Sequence, residues 1–334
     1  MNVIPRTLQN AISKRIGENK VLLLYGTRRV GKTHLIQAIY EANKEKSLML
    51  NGEDFDVQEI LSKRTTANYK RLLGTKQLLF IDEAQAVKDI GKILKLLIDS
   101  FPKLTIIATG SSSFDLMNKS GEPLTGRGYQ YTMYPIAFQE TIKYTNTLSA
   151  MQQLDERIVY GSYPEVITIE DVEEKQTYLK AIVQQYLLKD IFIYETVKNS
   201  NKIFDLLKLL AYQVGNEVSL DELGKTLGIS KNTVERYLDL LTKVFVIFRL
   251  GGYSSNLRKE VIKSSKWYFF DNGIRNAIIS DFRDIALRPD KGQLWENYCI
   301  YERIKKQHYA SKQCEYYFWR TYDQQEVDLI ETEN

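Results

Sequence analysis

Apolar residues recur along this chain in two rhythms. Residues 21–25 (VLLLY), 47–50, 77–81 and 104–108 are predominantly apolar runs of strand length. Such runs, rather than alternating ones, suit strands covered on both faces. A fifth strand is expected over 129–134. Between these runs the spacing lengthens to three or four residues, at Leu8, Ile12 and Ile16, then Leu35, Ile39 and Ala42, then Val87, Ile90, Leu94, Leu97 and Phe101. Each set draws one apolar face of a helix. Strands alternating with helices in this way predict an α/β fold, a parallel sheet with helices on both sides.

From Asp171 onward the pattern is helical, with Tyr178, Ile182, Val183, Tyr186 and Leu187 on one face and a further helix over 203–212. Ser219-Leu220-Asp221-Glu222 reads as a capping box that opens a helix ending at Gly228, and Ser230 caps a second helix carrying Val234, Tyr237, Leu238 and Leu241. Strands are expected over 244–250 and 267–270, then a helix starting near Gly292 and a strand pair at 316–320 and 326–330.

Composition narrows the classes. A chain of 334 residues with 43% apolar content can bury more than one core, so two or three domains are expected. Apolar runs such as 244–248 fall far short of the roughly 20 residues that cross a bilayer. The first 20 residues lack an apolar signal core, which points to a cytoplasmic protein. Two cysteines and two histidines make neither a disulfide framework nor a structural zinc site. A net charge of +4 permits nucleic-acid contact without demanding it.

The candidate chemistry lies at the ends of the apolar runs. Gly26-Thr27-Arg28-Arg29-Val30-Gly31-Lys32-Thr33 follows the first of them with the spacing GxxxxGK[ST] and leads into a helix whose first turn carries His34. Glycines let the backbone curl so that successive N–H groups and the helix N-terminus face phosphates. Lys32 would neutralise the β- and γ-phosphates, and the Thr33 hydroxyl would ligate magnesium. The run at 77–81 ends in Asp82-Glu83. Beside a phosphate loop Asp82 would hold magnesium through water and Glu83 would polarise an attacking water. Capping of the next helix is the alternative role for this pair. Thr109 or Ser111, in Thr109-Gly110-Ser111-Ser112-Ser113, would sense the γ-phosphate or orient the water; a polar turn is the alternative.

These motifs resemble the AAA-type branch of P-loop ATPases. More narrowly, GTRRVGKT, LLFIDEAQ, ATGSSS, LTGRGYQYTMYPIAFQE and GSYPEV resemble bacterial and archaeal ATPases with an AAA domain followed by a domain of unknown function, over nearly the whole chain. The resemblance implies an extra strand between the loop strand and the Asp82 strand, ATP as ligand and hydrolysis as the reaction. It also draws attention to Arg127, which could meet a phosphate of its own or a neighbouring subunit.

The expected layout is a P-loop ATPase domain over 1–145, a helical lid or linker over 146–205, a winged helix over 206–280 and an incomplete nuclease-like unit over 281–334. Arg258, Lys259, Lys263 and Lys266 would make a basic wing, with DNA as partner. A protein partner or second copy is the alternative, because Glu235 and Asp239 nearly balance Lys231, Arg236 and Lys243. In the resembled family the last segment looks like a PD-(D/E)XK nuclease fold, where Glu296 and Asp328 match the two acidic positions. The following ExK strand is not found before Asn334, so an active nuclease is not expected. The reading that results is an ATPase, with catalytic Lys32, Glu83 and Arg127 and metal-holding Thr33 and Asp82, driving its C-terminal region. Alternatives are a nucleotide-switched DNA- or protein-binding regulator with little turnover, and an ATP-controlled nuclease.

Overall fold

Val21–Tyr25 forms strand β1, with every residue buried, an inner strand of a five-stranded parallel sheet in a computed structural model. The structure describes residues 4–111, 124–187, 200–253, 265–321 and 325–333. Chain contacts divide it into two compact units, 1–134 and 135–334.

In the first unit, helix α1 (Thr7–Ser13) precedes β1, and α2 (Lys32–Glu41) follows it. Next come β2 (Ser47–Asn51), α3 (Phe55–Ser62), α4 (Thr66–Leu73), β3 (Leu78–Asp82), α5 (Ile90–Ser100), β4 (Thr105–Thr109) and β5 (Gly128–Thr132). All five expected strands form, and α3 and α4 are added. Their short polar-rich segments carry little periodicity, but side chains of Asp54 and Thr65 cap them. The sheet order is β2-β3-β4-β1-β5. Strand β4 therefore separates β1 from β3, as the resemblance implies. Every strand is parallel, so all the C-terminal strand ends share one edge.

The second unit opens with short helices α6 (Phe138–Tyr144), α7 (Thr147–Gln152), α8 (Leu154–Tyr160), α9 (Pro164–Thr168) and α10 (Val172–Ala181), the last widening into a π turn at Ile182–Leu187. Then follow α11 (Ser200–Tyr212), β6 (Glu217–Val218), α12 (Leu220–Leu227), α13 (Lys231–Lys243), β7 (Ile247–Gly252) and β8 (Ser265–Phe269). Ser219 and Ser230 cap α12 and α13 as expected, and Gly228 closes α12 with φ +65°. After α14 (Asn272–Ile279) and α15 (Lys291–Tyr309), β9 (Cys314–Arg320) pairs antiparallel with β10 (Glu326–Glu333). One mixed sheet, β10-β9-β7-β8-β6, contains both the central hairpin and the C-terminal pair.

The GSYPEV segment has a structural role here. Ser162 N–H donates to the buried Asp271 carboxylate at 2.7 Å, and a Cβ on Gly161 would lie 1.9 Å from the same carboxylate. Burial pushes the Asp271 carboxyl up to about 6. Among the described residues no helix is long and apolar enough to cross a membrane.

Candidate nucleotide-binding site

The loop between β1 and α2 depends on its glycines. Gly26 has φ +149°, and a Cβ there would lie 2.2 Å from the Met133 carbonyl oxygen, so no side chain fits. Gly31 has φ +95° and starts α2, a left-handed conformation that side-chain-bearing residues adopt at a cost. Arg29 also has φ +67°. The first intrahelical bond of α2 runs from Leu35 N–H to Gly31 O at 3.0 Å, leaving the N–H groups of the first turn beyond the helical ladder.

Lys32 is 5% exposed, and its ammonium donates to the Gly26 and Thr27 carbonyls at 2.8 Å each. It folds back over its own loop. An ammonium with three donors can exchange such carbonyls for phosphate oxygens. Thr27 and Arg28 are half-buried and Val30 is buried, while Arg29, Thr33 and His34 face solvent.

Strand order brings three segments together at this edge. Thr33 Oγ1 donates to Asp82 Oδ2 at 2.8 Å. Thr109 Oγ1 donates to the other oxygen, Asp82 Oδ1, and accepts the Glu83 N–H at 3.0 Å. With 0% exposure and both bonding directions used, the Thr109 hydroxyl is committed to the Asp82-Glu83 pair rather than turned toward a phosphate. Sensing by Thr109 would pass through those two residues. Ser111 is also buried, 2% exposed, and Ser112 and Ser113 lie outside the described residues.

Glu83 adopts φ +48° and makes no side-chain cap to the turn that follows; α5 begins only at Ile90. The capping role weighed for this pair is therefore not realised at Glu83. Its carboxylate instead accepts from the Gln85 carboxamide. Gly52 brings β2 against it, since a Cβ there would lie 2.6 Å from Glu83 O. Gln85 and Gly52 were not singled out by sequence reasoning. Gln85 stands inside the quoted LLFIDEAQ motif, but nothing in that pattern says which way its amide points.

Arg127 is not brought to the loop. It immediately precedes β5, whose Gly128 is level with Val21, and its backbone carbonyl accepts from Val21 N–H at 2.9 Å. That is the opposite edge of the sheet, roughly 15 Å from the loop at about 3.3 Å per strand residue. Its guanidinium pairs with Asp99 at 2.8 Å. The reading of Arg127 as a contact to this chain's own phosphate is corrected by that placement.

Hard oxygen donors suit magnesium, and the solvent-facing Thr33 hydroxyl and Asp82 carboxylate, already hydrogen-bonded together, fit such an ion. The family described as "AAA domain" matches residues 18–142, the stretch containing every one of these groups. The chain carries an AAA domain. Two families, each described as a domain of unknown function, match residues 151–284 (DUF8612) and 291–334 (DUF4143).

Relatives of the AAA domain and its C-terminal partner segments include an uncharacterized protein of Methanocaldococcus jannaschii, 27% identical, covering 97% of this chain and 75% of its own length. Another, from Haemophilus influenzae, is 27% identical over 78% of this chain and 69% of its own length. An uncharacterized protein of Mycobacterium bovis is 26% identical over 92% and 67%. The chain thus spans about two-thirds to three-quarters of these relatives. Among solved structures, the Thermotoga maritima RuvB Holliday junction branch migration motor aligns over 74% of this chain and 90% of its own, with 16% identity and a TM-score of 0.36. Drosophila ORC bound to AT-rich DNA and Cdc6 aligns with 14% identity and a TM-score of 0.30 over 82% and 90%. Overlaps this loose carry no argument about the site.

In the second unit a cleft of about 500 Å³ is lined by Lys266, Trp295, Glu296, Glu326 and Asp328, with Gly215 at its wall. The sequence places Lys266 in the loop of a basic wing. It is instead 4% exposed within β8, where its ammonium bonds Glu326 and lies 3.7 Å from Glu296. Neighbouring carboxylates explain this position: burying an ammonium is tolerable only beside opposite charge. Glu296 also accepts from the Tyr268 hydroxyl at 2.6 Å, and burial raises its carboxyl above the ordinary range. Among the described residues no group of three or more His, Cys, Asp or Glu is arranged to hold a metal ion. Arg258, Lys259 and Lys263 lie outside the described residues.

Proposed function

We propose that the AAA domain binds ATP with magnesium in the loop Gly26 to Thr33 and hydrolyses it. The observation that carries this reading is the convergence of Lys32, Thr33, Asp82, Glu83 and Thr109 on one sheet edge. The work is electrostatic and positional. Loop N–H groups and Lys32 receive the phosphate charge. Thr33 and Asp82 are the residues that would hold magnesium, which supplies charge neutralisation when bound. Glu83 takes the proton of the attacking water, and Thr109 holds Glu83 and Asp82 in register. Arg127, being remote from its own loop, could act on phosphate only across a contact with a second copy.

The segment 200–269 supports a winged-helix reading, because β6 and β7 flank β8 behind three consecutive helices. DNA or a protein partner is proposed for it. On α13, Lys231 pairs with Asp221 at 3.0 Å and Lys243 pairs with Asp239, while Lys266 is buried. That charge balance favours a protein contact and a nucleotide-switched binder as the second reading. In the nuclease alternative, Glu296 and Asp328 line one cleft together with Lys266, whose ammonium pairs with Glu326.

The deciding measurement is phosphate release from ATP, with magnesium or with chelator, in the presence and absence of duplex DNA. Magnesium-dependent release is expected. Stimulation by DNA would mark a DNA-coupled ATPase, release indifferent to DNA would favour the protein-contact reading, and no release with intact ATP binding would favour the switch. Thr109→Val, which keeps the shape but loses the hydroxyl, should lower turnover about ten- to a hundredfold while leaving ATP affinity within about threefold. Unchanged turnover would remove Thr109 from the site.

A further inference from the structure

A buried cation also lies beside the loop. Arg6, in the segment before α1, is only 9% exposed. Its Nη1 donates to the Val30 carbonyl at 2.6 Å and its Nη2 to the Tyr134 carbonyl at 2.5 Å. Val30 belongs to the phosphate loop. Tyr134 lies just past β5, beside the Met133 whose carbonyl packs on Gly26 and whose N–H donates to Tyr25 O at 2.7 Å.

A planar trans peptide turns its C=O and its N–H to opposite sides. The chain has no cis peptide among the described residues. The Val30 carbonyl, drawn toward Arg6, therefore turns the N–H of the same peptide, that of Gly31, away from Arg6. Gly31 leaves space for this, since a Cβ there would still be 3.7 Å from Arg6 Nη1. The peptide is otherwise easily rotated, because it joins Val30 to a glycine of positive φ that tolerates many conformations. A charge-assisted bond from a guanidinium fixes it more firmly than a neutral donor would.

We propose that Arg6 is a positioning residue of the nucleotide site, holding the Val30–Gly31 peptide with its N–H toward the phosphates and anchoring it to the end of β5 at Tyr134. This rests on the reading of the loop as an ATP site. Arg6 touches no phosphate. It makes the loop ready to bind, so that binding does not have to order that peptide.

The test uses the full chain with Arg6→Ala, Arg6→Lys and Lys32→Ala, titrated with ATP and magnesium by calorimetry and melted with and without ATP. Arg6→Ala should weaken ATP binding about ten- to a hundredfold and shrink the ATP-induced rise in melting temperature. Arg6→Lys, able to reach one carbonyl, should recover part of the affinity. Both variants should melt, without ATP, within a few degrees of the parent. Unchanged ATP affinity in Arg6→Ala overturns the proposal. So does an ATP-free melting temperature that falls in step with affinity with no recovery in Arg6→Lys, which would make Arg6 a cross-link of the fold alone. Should Arg6→Ala not fold, Arg6→Lys decides: wild-type affinity overturns the role, and intermediate affinity at parental melting supports it. Lys32→Ala separates the two levels. If it binds ATP as the parent does, the nucleotide reading itself fails; if it alone loses binding, only the role of Arg6 fails.

Discussion

Lys32→Ala should remove ATP binding and hydrolysis together. The ammonium bonds two carbonyls of its own loop, Gly26 O and Thr27 O. Substitution takes away both the phosphate partner and the tie that shapes the nucleotide-free loop. Charged hydrogen bonds contribute about 1.5–3 kcal/mol each, so two of them correspond to at least about a hundredfold in affinity. Calorimetric titration should show the loss, with no phosphate release at ATP concentrations that saturate the parent. Helix α2 still starts at the Gly31 turn, so circular dichroism should remain that of the parent. Retained affinity would mean that the loop is not a phosphate site.

Glu83→Gln should separate binding from chemistry. The replacement keeps the shape and length of the side chain but cannot accept a proton from water. A positioned general base contributes about 10²- to 10⁴-fold, so turnover should fall by that order. ATP affinity should stay within about twofold, because Lys32, Thr33, Asp82 and the loop N–H groups are untouched. Gln85 contacts the carboxylate at position 83, and a carboxamide there retains an oxygen acceptor for it. The pair of measurements is steady-state phosphate release and ATP titration on the same preparation. Equal turnover would leave Glu83 as a backbone turn with φ +48° and no catalytic duty.

Much of the first unit was legible because its signals are contiguous. Residues 21–25 are apolar throughout and become β1 without adjustment, and the glycines at 26 and 31 lie where positive φ is required. Ser219 and Ser230 announce α12 and α13 for the same reason, since a cap and the N–H it serves are three residues apart. Helices α3, α4 and α6 to α9 were not legible. They are five to eight residues long, too short to show a period, and packing rather than propensity sustains helices of that length. Thr109 is legible as an end-of-strand hydroxyl with a role in γ-phosphate sensing or water positioning, but its partners Asp82 and Glu83 are not.

By itself the sequence determined the parallel strands, the phosphate loop and its following helix, and the carboxylate pair closing β3. Tertiary structure alone decided what those groups touch. Insertion of β4 between β1 and β3 delivers Thr109 to Asp82, and parallel pairing of β5 with β1 leaves Arg127 at the far edge. Folding of the hairpin into one sheet with β9 and β10 buries Lys266 among carboxylates that sequence reading had set in a different domain. Arg6 reaches Val30 across 24 positions and Tyr134 across 128. Apolar runs, caps and positive-φ glycines are local preferences of a few adjoining residues. Hydrogen bonds across such separations depend on strand order and register, which the packing of the whole unit selects.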